Sequence, residues 1–137
     1  MEVLNVLAAA LAAFAFGAVW YMSMSKPWIA AAELQCDDKG RPMRADSQAG
    51  GSSLMPFVIG LVAMVLVAGM MRHLLAASGV TSIGGGAVAG LGVGAFLITP
   101  WVAMNYGFAM RKPALTVIDG VNSIVGCTIM GAVLNAF

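Results

Sequence analysis

Four apolar stretches, each about 20 residues long, limit what this chain can fold into. They cover residues 3–22, 54–77, 83–106 and 115–137. At a rise of about 1.5 Å per residue, a helix of that length crosses a hydrocarbon core of about 30 Å. None of the four shows the period-two alternation of a barrel strand, and barrel strands come in sets of about 9–11 residues. The expected fold is therefore all-α: an integral membrane bundle of four transmembrane helices in one domain, residues 1–137. Composition agrees. Hydrophobic residues make up 61% and charged residues 9%, which a soluble domain of this size has no interior to hide. The first stretch is not read as a signal peptide. Glu2 is the only charge before Lys26, and the run exceeds the usual apolar region of such peptides, about 7–15 residues.

Charge is concentrated in the connection over residues 23–53, which holds Lys26, Glu33, Asp37, Asp38, Lys39, Arg41, Arg44 and Asp46. Within it, 28–35 reads as a short interfacial helix with Pro27 at its start. The Gly/Ser-rich part, 45–53, reads as a flexible linker. Residues 78–82 make a tight turn with Gly79, and Arg111, Lys112 and Pro113 mark the last connection. The first and third connections share one side and carry six basic residues, Lys26, Lys39, Arg41, Arg44, Arg111 and Lys112, against Arg72 alone on the other. The positive-inside rule then makes residues 23–53 cytoplasmic. The expected location is the cell inner membrane, with both termini periplasmic. Trp20, Tyr21, Trp28, Trp101 and Tyr106 fall at the cytoplasmic ends of the first and third spans, as an aromatic belt does.

Trp20 and Tyr106 each stand six residues before a Lys-Pro pair, with Met24 and Met110 between. This match suggests two repeated helical hairpins. Packing signals are clearer. Gly86, Gly90 and Gly94 recur every four residues in the third span, and Ser123, Cys127 and Gly131 in the fourth, with Ala9, Ala13 and Gly17 in the first. Lipid supplies no hydrophobic drive between helices, so small residues at this spacing mark close contacts. Those contacts serve either the bundle of one chain or an oligomer. Pro100 removes a backbone hydrogen bond and is expected to kink the third span.

Few polar side chains lie at membrane depth. Asp119, Asn122 and Ser123 form a candidate polar path. A carboxylate in lipid is costly and such residues are often functional. Thr116 to Asp119 also matches a capping box, which would place the acid in a first helical turn. Both readings stand at this stage. Arg72 is read as snorkelling to the interface. His73 has no Cys, Asp, Glu or second His near it in sequence, so no metal site is expected. No catalytic cluster and no cofactor motif are found; Gly84 to Gly86 open an apolar span with no preceding strand. Net charge is +1, with no basic stripe for nucleic acid. Cys36 and Cys127 fall at different depths, so no disulfide is expected. The chain is expected not to be an enzyme. Its expected partners are the lipid bilayer and, by the small-residue faces, a homo-oligomer or larger membrane complex.

Two segments resemble a known family. One begins at Asn5, closes in Gly17-Ala18-Val19-Trp20-Tyr21 and continues through Lys26-Pro27-Trp28. The other runs from Val117-Ile118-Asp119-Gly120 to Ile129-Met130-Gly131-Ala132-Val133-Leu134. Together they resemble the bacterial membrane proteins of domain of unknown function 1761. The resemblance implies four helices in a bacterial cytoplasmic membrane and supplies no activity. Asp119, Asn122 and Ser123 stand where that pattern leads one to expect Asn, Tyr and His, so it carries no role onto them. Two function classes follow: a non-enzymatic structural or accessory subunit, or a small transporter or channel with a polar path near Asp119.

Overall fold

The structure is a computed structural model that describes residues 2–43 and 54–136. Among these residues it contains helices α1 (Glu2–Ser23), α2 (Ser25–Ala32), α3 (Met55–Ala77), α4 (Ile83–Gly92), α5 (Thr99–Phe108) and α6 (Pro113–Leu134), with a π-helical stretch Val93–Ile98 between α4 and α5. Four helices are long and apolar enough to cross a membrane: α1, α3, the continuous Ile83–Phe108, and α6. The linker expected over 45–53, with Arg44, lies outside the described residues.

Local chemistry sets the helix ends. Pro113 follows an extended Lys112 and opens α6 at a position where its missing N–H is no loss. Ser82 caps α4, its Oγ accepting from Gly85 N at 3.0 Å. Three helices stop at a left-handed residue. After α3, Gly79 has φ 68° and Val80 N donates to Leu75 O. After α5, Met110 has φ 53° and Arg111 N donates to Tyr106 O. After α2, Glu33 has φ 55° and Leu34 N donates to Ile29 O. These bonds satisfy carbonyls that a helix end leaves open.

The short helix α2 begins at Ser25, ahead of the expected residue 28, and ends at Ala32. Proline is tolerated at Pro27 because first-turn N–H groups have no partner within the helix. Met24 N donates to Trp20 O and Trp28 N to Met24 O, so α1 runs almost directly into α2. At the matching position in the second half, Met110 reverses the chain. The two segments that suggested repeated hairpins therefore differ in local structure.

Pro100 acts through a change of helical register. Thr99 N bonds to Gly94 O, five residues back, and Thr99 Oγ1 donates to the same carbonyl at 2.7 Å. The π-helical stretch thus absorbs the missing proline donor while the span continues to Phe108.

The most buried of the long helices is α6, which packs against α1, α3, α4 and α5. The expected small-residue faces meet here. A Cβ added to Gly86 would strike Gly131 O, one on Gly90 would strike Cys127 O, and one on Gly94 would lie 2.5 Å from Ile124 Cα and 2.8 Å from Ser123 O. The two backbones touch in antiparallel order, 86 to 131, 90 to 127 and 94 to 123–124. Beside this contact, Ala9, Ala10 and Ala13 of α1 and Ala68, Met71 and Leu75 of α3 close around Cys127, Met130 and Leu134. The outer faces remain apolar and exposed, including Phe57, Ile59 and Leu66 on α3 and Phe96, Leu97 and Trp101 farther on.

Candidate functional site

Asp119 lies in the second turn of α6. Because α6 begins at Pro113, Thr116 is already helical and caps nothing. The capping-box reading is thereby corrected: the extended Lys112 and the Pro113 ring start the helix earlier than the motif implied.

Three side chains from other helices converge on the Asp119 carboxylate. Tyr21 Oη donates to Oδ1 at 2.8 Å. Trp28 Nε1 donates to the same oxygen at 3.0 Å. Tyr106 Oη donates to Oδ2 at 2.6 Å. All three act as donors, so both carboxylate oxygens serve as acceptors in this arrangement. Nearby, Trp20 Nε1 donates to Ile118 O at 3.0 Å. The Tyr21 and Trp28 rings meet edge to face, with centroids 6.0 Å apart. Among the described residues no Lys, Arg or His forms an ion pair with Asp119.

A basic rim surrounds this end. Arg111 Nη1 donates to Ala32 O at 3.3 Å, Lys112 Nζ donates to Ala30 O at 3.3 Å, and Lys112 also pairs with Glu33 at 3.4 Å. These contacts fasten α2 over the α5–α6 turn, where Ala31, Ala32 and Leu115 are buried with Trp28, Leu34 and Tyr106.

The other two residues of the expected path make no continuation of this network. Ser123 Oγ donates to Asp119 O, one turn back in its own helix, at 2.9 Å. Asn122 Oδ1 is buried with no hydrogen-bond partner, 3.2 Å from where a Cβ on Gly17 would sit. Deeper still, Gly126, Cys127, Met130 and Gly131 are buried in packed interior.

Sequence reasoning missed the role of Tyr21, Trp28 and Tyr106. A belt residue faces the headgroups, whereas these three turn inward onto Asp119. The signal lies in the sequence: these aromatics and Asp119 fall at the same end of their spans, and a buried phenol or indole seeks an acceptor. Trp101, 67% exposed, keeps the outward position expected of a belt.

The segments bearing this cluster, with almost all of the remaining chain, match the family described as "Protein of unknown function (DUF1761)" over residues 4–135. The chain belongs to that family. The match extends the two-segment resemblance across the middle of the sequence, including α3 and α4. No curated protein and no solved structure matches the chain. Among the described residues, no group of His, Cys, Asp and Glu side chains gathers as metal ligands would.

Proposed function

We propose that this protein is a multi-pass protein of the cell inner membrane, with both termini periplasmic, and that it serves as a non-enzymatic structural or accessory subunit of a membrane complex. The observation that carries this reading is the state of Asp119. Its two oxygens are engaged by Tyr21, Trp28 and Tyr106 of the same chain. An acid so held braces α1, α2, α5 and α6 against one another, and among the described residues no Lys, Arg or His forms an ion pair with it. Below it, the glycine contacts of α4 with α6 bring the two backbones together. The exposed apolar faces of α3 and α5 are suited to lipid or to neighbouring helices.

Membrane extraction in mild detergent tests this directly. The expected result is a defined complex containing another membrane protein in fixed ratio, by light scattering and co-purification. A homo-oligomer that carries solute into proteoliposomes, with flux abolished by Asp119→Asn, overturns it. That second reading, a small transporter, draws on one specific observation: Asn122 Oδ1 is buried and unpartnered a turn beyond Asp119, where a permeating polar species would find an acceptor.

A further inference from the structure

At the opposite end of α1 lies a second polar feature. Arg72 Nη2 sits 3.5 Å from Glu2 Oε1, and Nη1 donates to Leu134 O at 3.4 Å. Arg72 Nε is buried without a hydrogen-bond partner. Charge-assisted bonds usually measure about 2.7–2.9 Å, so a guanidinium with five donors is poorly used here. Next to it an open groove of about 440 Å³ runs between α1 and α3, lined below the ion pair by Val3, Val6, Leu7, Val65 and Gly69. A Cβ on Gly69 would meet nothing within 4 Å, so this glycine forms part of the groove floor. Val65 precedes Arg72 by seven residues, which puts the apolar end about 10 Å deeper than the guanidinium.

An apolar slot with a charged mouth fits an amphiphile. We infer that this groove holds a single phospholipid with a primary-amine headgroup. The phosphate diester meets Arg72, the ammonium meets Glu2, and an acyl chain lies along Val6, Val65 and Gly69. Charge complementarity selects this occupant. Among the described residues the mouth carries the cation Arg72 and the anion Glu2, with His73 also lining the groove, and the Glu2 side chain is 79% exposed. A net-anionic headgroup would find Arg72 but also face Glu2. A choline headgroup has no N–H to give the Glu2 carboxylate. A primary ammonium beside a phosphate satisfies both, and a guanidinium is well shaped for phosphate. The inference rests on the bilayer location proposed above.

The test uses the whole protein in phosphatidylcholine nanodiscs doped with phosphatidylethanolamine or phosphatidylglycerol, read by native mass spectrometry of retained lipid. One phosphatidylethanolamine should be retained about threefold to fivefold over the other two classes, the range an exposed ion pair supports. Glu2→Gln should remove that preference, and Arg72→Gln should reduce retention of every class. Gly69→Leu puts a side chain into the groove from a Cβ that meets nothing within 4 Å; it should lose the lipid while keeping the parent melting temperature. Equal retention of the three lipids, or undiminished retention in folded Gly69→Leu, overturns the site while leaving the membrane reading intact. Failure of the protein to enter nanodiscs at all overturns the membrane reading, and the lipid site with it.

Discussion

Tyr106 Oη donates to Asp119 Oδ2 at 2.6 Å across the turn that joins α5 to α6. With Tyr21 and Trp28 on the other oxygen, this bond makes Asp119 the point where three segments of the chain are tied to α6. Hydrogen bonds between membrane helices average about 0.6 kcal/mol, because the unfolded chain also finds partners in lipid. Three of them come to about 2 kcal/mol by that measure. Asp119→Ala should therefore lower stability by about 2 kcal/mol in a reversible detergent-unfolding titration. Asp119→Asn should cost less, since one acceptor oxygen remains while its NH₂ opposes a donor. A neutral Asp119→Ala would show that the aromatic donors find water instead.

Left-handed residues supply a second prediction. Met110 has φ 53° and is 90% exposed, so its side chain adds little packing to offset backbone strain. A non-glycine residue in this region costs about 1–2 kcal/mol. Met110→Gly should raise stability by about 1 kcal/mol, after allowing for the greater entropy of glycine in the unfolded chain. Gly79, with φ 68°, is the mirror case, and Gly79→Ala should lower stability by a similar amount. Paired thermal melts of the two variants check both signs.

These two sites show where the sequence was legible. The spans could be read because a run of about 20 apolar residues has few other fates. The contact of α4 with α6 could be read because four-residue glycine spacing leaves one bare stripe, and the partner stripe had the same spacing. Asp119 could not be placed, because a local motif matched it while the real helix start was fixed upstream by Lys112 and Pro113. Met110 was equally hidden: the chain must reverse there for Lys112 to reach Glu33, and that demand comes from tertiary structure.

Acid should open the 35–43 loop selectively. Asp37 accepts from Lys39 N at 2.9 Å, from Arg41 N at 2.8 Å and from Arg41 Nε at 2.8 Å. The Arg41 backbone bond, with further help from the Arg41 guanidinium and Lys39 N, holds the carboxyl below its ordinary value of 3.8. A depressed folded-state pKa means that the stabilisation is complete above that ordinary value and is lost as pH falls through the lower folded value. Amide exchange at Lys39 and Arg41 should quicken below about pH 4 relative to the intrinsic rate, while the amides of α6 stay protected. Asp37→Ala should show fast exchange at both amides at neutral pH.

The proposed topology rests on where the basic residues gather. Arg111 and Lys112 lie against α2, at the same end as Lys26, and Arg72 lies at the other end beside Glu2. With that rim cytoplasmic, alkaline phosphatase fused after the last residue should be active and a cytoplasm-dependent fluorescent fusion dark. The opposite pattern would invert the proposed orientation.

Gly90 and Gly92 make the sharpest contrast in the molecule. They are two residues apart on one helix, yet a Cβ on Gly90 would fall on Cys127 O, and one on Gly92 would meet nothing within 4 Å. The obstacle at Gly90 is backbone, which has no rotamer by which to move aside. Relief would require α4 and α6 to separate and would undo the neighbouring contacts at Gly86 and Gly94 as well. Overpacking of ordinary interiors costs about 1–3 kcal/mol, and a backbone obstacle should put Gly90→Ala at or above the top of that range. Gly92→Ala should be neutral or stabilising by up to about 1 kcal/mol, the usual gain of alanine over glycine in a helix. Folded yield and melting temperature, measured side by side, decide the matter. If Gly90→Ala melts like the parent, α4 and α6 do not approach as closely as 86–131, 90–127 and 94–124 place them.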